Sequence, residues 1–528
     1  MACQAALVGT QTINIGYQCN NPATCYTSNL MSVNGGTATT VARNNNGNLS
    51  SSTGVNLTFD SNGNAPVTLL YSDVGQVTLF ATATVNSSTL LGVSNAFVAK
   101  PGGFVLSGIK QTASPNLVNP VATNATGAKF VKAGEAFSVT VTATTSSGTT
   151  TPSFGNETSP ESVTLTPTMA TGLGLSNNPN ISGTFGSFNN GVATGTAFSW
   201  NEVGIITLTP SLLSANYMGV AGNVTGTTTG NIGRFYPAQF AVSGGLISNR
   251  TDIAACAIAG CGAFSYMGEQ MTAGFTLTAK ANDGVTTTQN YATANGFAKL
   301  PLSNSGNPLG LGAIDSIAHT PLTVDYTTYG TASGSFSSGN ATISAPFAIA
   351  RGSSTVGPYN AVNIGIAPMD SDSVTMGTLN LDTNNDGTND HALIGTTALR
   401  YGRLKISNAV GSQFLMMPIS MAAQYWNGSD YVTSLGDNNT ILLTSNLVLS
   451  SYTFHLSDSW TTTPALSNGT ANNGIFSATL SSPNGIITGR GSVILTTNGP
   501  TYLPSTSALA TFGVYRGNRH VMFMHENY

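Results

Sequence analysis

Residues Ala136–Gly148 read AFSVTVTATTSSG, and this stretch indicates the fold class more clearly than any other. Its apolar side chains stand at every second position from Phe137 to Ala143, and a turn-rich Ser-Ser-Gly follows. The same alternation runs from Phe275 to Ala281. A period of two is typical of a strand with one buried face, and no stretch of ten or more residues has a convincing helical period. The sequence therefore predicts an all-β fold made of antiparallel β-sandwiches.

The composition of the 528 residues excludes several classes of protein. Hydrophobic residues make up 40% of the chain, which is enough to form cores, but charged residues make up only 7%. The 16 Lys and Arg are scattered and form no basic stripe, so a nucleic-acid partner is not expected. No window approaches the 18 apolar residues of a membrane-spanning helix. The surface must therefore be polar but largely uncharged.

Internal repeats predict how the chain is divided. YSDVGQVTL at Tyr71–Leu79 recurs as WNEVGIITL at Trp200–Leu208. A Phe, a Gly and an Ala stand upstream of each copy, at Phe59, Gly63 and Ala65 and at Phe188, Gly191 and Ala193, and a third set lies at Phe336, Gly339 and Ala341. The acidic corner of this element is interpreted as architectural. Repeats at this spacing are typical of stacked modules.

We accordingly predict tandem immunoglobulin-like sandwiches that form an elongated rod. Their predicted ranges are 1–100, 101–238 and 239–399, followed by a distinct C-terminal β domain at 400–528.

The five cysteines favour an oxidising compartment. Cys19 and Cys25 are six positions apart, Cys256 and Cys261 are five apart, and both pairs stand in turn-rich sequence. We therefore expect two short-loop disulfides, with Cys3 left over. Zinc is the competing interpretation, but neither pair has the C-x-x-C spacing of a zinc site.

A cluster of carboxylates points to a cation. Five Asp fall within 21 residues, and no Lys or Arg stands between Arg351 and Arg400 to offset their charge. In the stretch DTNNDGTND, oxygen-bearing residues occupy the ligand positions of an EF-hand-like calcium loop, with Gly at the sixth position. The predicted calcium ligands are Asp382, Asn384, Asp386, Thr388 and Asp390, with Asp370 or Asp372 supplying the remainder.

The match to an EF-hand is incomplete, because Leu393 occupies the twelfth position, where an EF-hand has its bidentate Glu. The alternative is an Asn-Asp-Gly turn whose carboxylates bond to their own backbone.

Catalytic motifs are absent from the sequence. It contains no G-x-S-x-G, H-E-x-x-H or phosphate-binding G-x-x-x-x-G-K, and the five His stand apart. We therefore predict that the protein is not an enzyme. A secreted carbohydrate-active enzyme stays open as an alternative, because a pair of opposed carboxylates leaves no sequence signature.

The last 130 residues add a resemblance to a known family. RYGRL at Arg400–Leu404, the following KISNAVGSQFLMMPISMAAQYWNG, and ATFGVYRGNRHVMFMHENY at the C-terminus resemble the C-terminal region of MshQ-like proteins. NIGRFYPAQFAVS at Asn231–Ser243 and FSYMGEQ at Phe264–Gln270 are similar to it as well. That family is associated with biogenesis of the mannose-sensitive haemagglutinin pilus, a type IV pilus.

The resemblance implies an extracellular, pilus-associated surface protein of a Gram-negative bacterium. Longer members carry a lectin-like domain near the N-terminus, for which the sequence before residue 100 has no room, and the N-terminal Met-Ala-Cys-Gln lacks the basic and apolar regions of a signal peptide. We therefore expect either a trimmed chain or a stalk. The expected partners are pilus components or other surface proteins, and glycans.

Two further features bear on those partners. Trp426 and Trp460 stand among short polar residues, where an indole either stacks on a sugar or fills a core. Few charges protect the strand edges, so pairing of the chain with itself is also open. The sequence thus favours an adhesin or stalk component, with a self-polymerising fibre subunit as the alternative.

Overall fold

The computed structural model describes residues 5–34, 39–259, 261–302, 306–483 and 489–513. Within these ranges the chain is nearly all β, and its one α-helix is the six-residue segment Ala254–Ala259 (α1). Single-turn 3-10 helices lie at Tyr217–Gly219, Thr444–Asn446 and His455–Ser457. The predicted all-β fold of tandem sandwiches is confirmed, and the elongated rod stays a prediction.

The first domain is built around one long strand. Its strands are β1 Gly9–Asn21, β2 Met31–Val33, β3 Thr39–Thr40, β4 Ala42–Asn44, β5 Thr53–Phe59, β6 Leu69–Tyr71, β7 Gly75–Val85, β8 Ser88–Val93 and β9 Phe97–Ala99. The larger sheet has the order β4-β1-β7-β8, with β5 on β1 and β9 on β7, and the smaller sheet has the order β3-β2-β6. β8 is an edge strand, exposed along its whole length.

The second domain forms two three-stranded sheets. Its strands are β10 Gly103–Gln111, β11 Phe137–Thr144, β12 Val163–Met169, β13 Val192–Phe198, β14 Gly204–Leu212 and β15 Ile232–Phe235. The sheets have the orders β10-β11-β13 and β12-β14-β15. All four apolar side chains of β11 that the alternation places inward are fully buried, and so is Trp200. The period-two pattern of the opening stretch therefore faces the core.

The third domain has the same two-sheet plan with more strands. They are β16 Gln239–Ser248, β17 Phe264–Tyr266, β18 Met271–Lys280, β19 Gly312–Asp315, β20 Pro321–Leu322, β21 Val324–Asp325, β22 Asn340–Ile349, β23 Tyr359–Ile366 and β24 Ala392–Arg400. The sheets have the orders β16-β18-β22-β21 and β17-β24-β23-β19-β20. β18 pairs antiparallel with β22, with Phe275 opposite Ile343.

The fourth domain is again a pair of sheets. Its strands are β25 Gly402–Ile406, β26 Ala409–Gly411, β27 Met417–Trp426, β28 Tyr431–Thr433, β29 Leu447–Phe454, β30 Pro464–Asn472, β31 Ile475–Leu480, β32 Arg490–Thr497 and β33 Ala508–Gly513. The orders are β25-β27-β31-β30, with β28 on β27, and β26-β33-β32-β29. Its core contains Trp460.

Contacts divide the chain into two compact units. The first comprises the described residues of Met1–Gln239, Ala279–Ala298 and Ser337–Gly339. The second comprises those of Phe240–Thr278, Lys299–Phe336 and Asn340–Tyr528. Among the residues with described positions, no helix is long and apolar enough to cross a membrane.

Candidate functional sites

The disulfide prediction is confirmed. Cys19 is bonded to Cys25 at the end of β1, and Cys256 in α1 is bonded to Cys261. Cys19 and Cys25 belong to the buried core of the first domain, so this bond closes a short loop onto the sheet. Cys3 lies outside the described residues.

The Asp-rich loop turns its oxygens toward its own backbone. The carboxylate of Asp382 accepts hydrogen bonds from the N–H groups of Gly387 at 2.8 Å and Asp386 at 3.3 Å. Asp386 in turn accepts from the N–H of Thr388 at 2.8 Å. The side-chain oxygen of Asn384 accepts from the N–H of Asp386 at 3.0 Å. These are Asx turns, and they leave each carboxylate oxygen a lone pair that a cation could use.

The other acidic residues of the cluster have local partners too. Asp390 accepts from the N–H of Thr383 and faces Nδ1 of His391, both at 2.8 Å. Burial works to raise the pKa of Asp390, but these donors outweigh it and lower that pKa. Asp370 is buried and accepts from the N–H groups of Asp372 and Val374. Within the part of the chain that is described, no three His, Cys, Asp or Glu are grouped to hold a metal. The calcium site stays a prediction.

The two tryptophans have different environments. Trp460 is only 3% exposed and packs in the core of the fourth domain beside His455. A sugar cannot reach its face, so of the two alternatives for Trp460, sugar stacking and a core position, the structure shows the core position.

Trp426 is half-buried at the end of β27, where it belongs to an aromatic patch formed by Arg403, Gln424, Trp426 and Tyr431. Its ring meets that of Tyr431 edge-on, with 5.5 Å between centroids. The Arg403 guanidinium lies 3.7 Å from the centroid of Tyr431 and donates two hydrogen bonds to Oε1 of Gln424. An aromatic ring beside a cation and an amide is a surface suited to sugars. Glycan stacking at Trp426 stays a prediction.

The acid of the repeated corner makes a buried contact that the sequence did not indicate. Asp73, in the first domain, accepts hydrogen bonds from the backbone N–H of Ser153 at 2.9 Å and from its hydroxyl at 2.6 Å. Ser153 belongs to the second domain, and both side chains are buried. Burial raises the pKa of Asp73, with the Ser153 donors opposing that shift. This carboxylate therefore bonds two consecutive domains to each other.

Glu202, the corresponding acid of the second copy, has an even fuller set of donors. Its carboxylate accepts from the N–H groups of Gln289 at 2.9 Å and Asn290 at 3.0 Å, and from Nδ2 of Asn177 at 2.7 Å. It is fully buried, and burial raises its pKa although these donors and the N–H of Val203 oppose the shift. All five residues belong to the first compact unit.

The loops that donate hydrogen bonds to Asp73 and Glu202 share a backbone pattern with a loop of the fourth domain. We call the three segments that follow β11, β18 and β27 the junction segments (145–154, 281–291 and 427–437). In each, one N–H returns to a carbonyl of the preceding strand: Thr151 to Ala143 at 2.9 Å, Thr288 to Ala279 at 3.0 Å and Ser434 to Ala423 at 2.9 Å. Three residues later a second N–H closes the turn: Phe154 to Thr151, Tyr291 to Thr288 and Asp437 to Ser434. The fourth domain thus shares a feature of the repeated domains.

The third junction segment carries an ion cluster inside the second unit. Arg250 donates from Nε to Glu269 at 2.9 Å and from Nη1 to Asp437 at 2.7 Å, and all three side chains are buried. Tyr266 donates its hydroxyl to the other oxygen of Asp437 at 2.9 Å. The cluster bonds residues of the third domain to the fourth.

Burial and hydrogen bonding set the acidities within the Arg250 cluster. Burial raises the pKa of Glu269 to about 7, although Arg250 opposes the shift. Burial acts in the same direction on Asp437, but there Arg250 and the Thr440 hydroxyl outweigh it and lower the pKa. Removing Arg250 would leave two carboxylates buried without their cation, which is strongly unfavourable.

Four family models together match nearly the whole chain. Residues 1–93 match the domain of unknown function DUF6701, first Ig-like domain, and residues 100–228 match its second domain. Residues 202–394 match the third domain and residues 400–527 the fourth. The chain belongs to the DUF6701 family. The junction contacts of Asp73 and Asp437 are thus contacts between consecutive DUF6701 domains.

Other comparisons are more distant. No curated protein matches the sequence. Among solved structures, FdeC, a broadly conserved Escherichia coli adhesin, is similar over 73% of this chain and 95% of its own, with 14% identity and a TM-score of 0.31.

Proposed function

We propose that this DUF6701 protein is a non-catalytic, extracellular surface protein that acts as an adhesin or as the stalk of an adhesive assembly. The observation that carries the proposal is the bonding of consecutive domains through buried side chains, at Asp73 with Ser153 and at Arg250 with Asp437. Buried, hydrogen-bonded contacts of this kind restrict hinge motion between domains. An extended structure that displays a binding site needs this restriction. The two disulfides favour an oxidising compartment.

The finer assignment is association with a type IV pilus of a Gram-negative bacterium. It is supported by the resemblance of the last 130 residues to MshQ-like proteins. The aromatic patch around Trp426 supports glycans as one partner of such a protein.

Adherence and surface labelling test the proposal together. Latex beads coated with purified protein should adhere to host epithelial cells or to a glycan-coated surface, and albumin-coated beads should not. Antibodies should label intact cells of the producing bacterium, with the label enriched along pili. The proposal would be overturned if the coated beads did not adhere and the antibodies did not label intact cells of the producing bacterium.

The edge strand β8 supports a second candidate, a self-polymerising fibre subunit. Leu90, Leu91 and Val93 are exposed on this strand, and no charged residue stands between Asp73 and Lys100. Unprotected edges of this kind can pair with a further strand. Electron microscopy of purified protein separates the candidates: filaments that disappear on Leu91→Lys would establish the fibre, and single particles favour the adhesin or stalk.

We also propose that calcium stiffens the Asp382–Asp390 loop. The loop already holds its oxygens in Asx turns, so binding would require little rearrangement. Adding calcium should raise the melting temperature of the wild-type protein and leave that of Asp382→Asn/Asp386→Asn unchanged. An identical response from both proteins would refute the site.

A further inference from the structure

The first compact unit contains a cleft of about 700 Å³ that no function described so far uses. Its volume falls within the roughly 300–1,000 Å³ typical of small-ligand sites. Small polar side chains line it from several loops: Asn124, Thr126, Ser176, Gln289, Asn295 and Ser337. Gly172 and Gly174 form part of one wall, where the backbone itself reaches the surface.

The chemistry of this lining limits the ligand. No Lys, Arg, His, Asp or Glu is among the residues that form the cleft, so nothing there compensates a phosphate, a carboxylate or an ammonium group. The apolar part of the lining comes from Leu173 and three alanines, and no aromatic side chain contributes to it. The amides and hydroxyls of the lining match a ligand that combines neutral hydroxyl groups with small apolar faces.

The walls are held in place by the buried network below them. The side-chain oxygen of Asn290 accepts from the N–H groups of Ser176 at 2.9 Å and Asn177 at 3.0 Å. Its Nδ2 donates to the carbonyl of Asn177 at 2.7 Å. The N–H of Asn290 is in turn bound by the carboxylate of Glu202. The segment 172–178 and the second junction segment are therefore fixed to each other before any ligand arrives, which lowers the entropic cost of binding.

Three polar residues of the lining are exposed and available to a ligand, whereas Asn124 and Asn295 use their side chains in hydrogen bonds that hold the wall. Gln289 is exposed, and only its backbone N–H takes part in the Glu202 network. Ser176 and Ser337 are likewise exposed. A recognition surface usually combines a fixed backbone with side chains that take no part in fixing it.

We propose that this cleft binds a neutral oligosaccharide, through hydrogen bonds from Gln289, Ser176 and Ser337. The proposal deepens the adhesive function proposed above, because it names a ligand class and a site for it. The site is separate from the aromatic patch at Trp426, which lies in the other compact unit.

An oligosaccharide array tests the site. The wild-type protein is applied to neutral and sialylated oligosaccharides, beside Gln289→Ala/Ser337→Ala, the surface control Gln11→Ala/Ser52→Ala, and Trp426→Ala. We expect binding to at least one neutral oligosaccharide, a loss of roughly tenfold or more in the cleft variant, as two lost hydrogen bonds imply, and unchanged binding in the other two. All substituted side chains of the two double variants are exposed, so these proteins should fold.

Three results would overturn the proposal: no neutral oligosaccharide bound, binding confined to sialylated chains, or equal binding by wild type and the cleft variant. If only Trp426→Ala loses binding, the cleft variant binds as the wild type does, which is the third result. Recognition would then take place at the aromatic patch. The bead assay keeps the two proposals apart. If beads coated with wild-type and cleft-variant protein adhere equally, the adhesive function is supported and the oligosaccharide site in the cleft is refuted.

Discussion

Asp73 and Glu202 occupy the same place in a repeated element and use it for the same purpose. Each accepts backbone N–H groups from a junction segment, and each is buried. A buried carboxylate is unfavourable unless its oxygens receive several donors, and these two do. The acid of each corner therefore accepts the hydrogen bonds of a junction segment, although burial still raises its pKa.

Removal of the Asp73 carboxylate should loosen the first junction. In Asp73→Ala the N–H and hydroxyl of Ser153 lose their acceptor in a buried position, so the free energy of unfolding should fall by about 1–3 kcal/mol. Urea unfolding followed by fluorescence measures the change. Asp430→Ala, at an exposed turn, is the control and should differ little from wild type. Equal stability of the two variants would mean that the contact does not stabilise the junction.

The raised pKa of Glu202 predicts a particular pH dependence. A carboxyl whose pKa is higher in the folded than in the unfolded protein stabilises the fold below the unfolded value, ordinarily near 4.5, and this contribution is lost as pH rises through the folded value. Relative to Glu202→Gln, which does not titrate, the wild type should therefore become less stable as pH is raised above about 4.5. Urea unfolding of both proteins from pH 4 to pH 8 checks this. Parallel curves would contradict a raised pKa.

At the scale of the element, the Gly of the repeated Phe-Gly-Ala signature has a specific role. Gly191 and Gly339 have φ angles of +75° and +76°, and a Cβ on them would lie 2.4 Å and 2.5 Å from the carbonyl oxygens of Thr151 and Thr288. Gly474 in the fourth domain approaches the carbonyl of Ser434 in the same way. Each junction segment can pack against the turn that precedes β13, β22 or β31 only because no side chain intervenes.

Gly191→Ala should therefore be more harmful than an ordinary substitution at positive φ. Gly148 has a φ of +87° with open space around its Cβ position, so Gly148→Ala carries the conformational strain alone, about 1–2 kcal/mol. Gly191→Ala adds a steric clash with backbone and should lower the unfolding free energy by clearly more than that. Thermal and urea unfolding of the two variants give the comparison. Similar losses in both would show that the close approach is not essential.

The strands were predictable because their signal is local. The alternation from Phe137 to Ala143 is sufficient to place a strand, and the close spacing of Cys19 with Cys25 indicates a disulfide. The junction contacts were not predictable, since Arg250 and Asp437 are 187 residues apart and neither has a distinctive neighbourhood in sequence. For Trp460 the sequence left a core position and a sugar-stacking position open, because the short polar residues beside it describe its chain neighbours and not its surroundings.

At the scale of the whole molecule, the chain consists of four DUF6701 domains, and the buried contacts of Asp73 and Asp437 bond consecutive domains to each other. Few charges stand on the surface, so contacts with other molecules depend mainly on hydrogen bonds and are little affected by salt. Such a surface is compatible with the display outside a cell that is proposed above.

Small-angle X-ray scattering of the purified chain tests this account most directly. A compact globule of 528 residues would have a radius of gyration of about 24 Å. The proposed stiff stalk should have a clearly larger radius of gyration and a scattering curve typical of a rod, both unchanged between low and high salt. A radius near 24 Å, or a curve typical of domains that move freely on flexible linkers, would contradict the proposal of a stiff adhesive stalk.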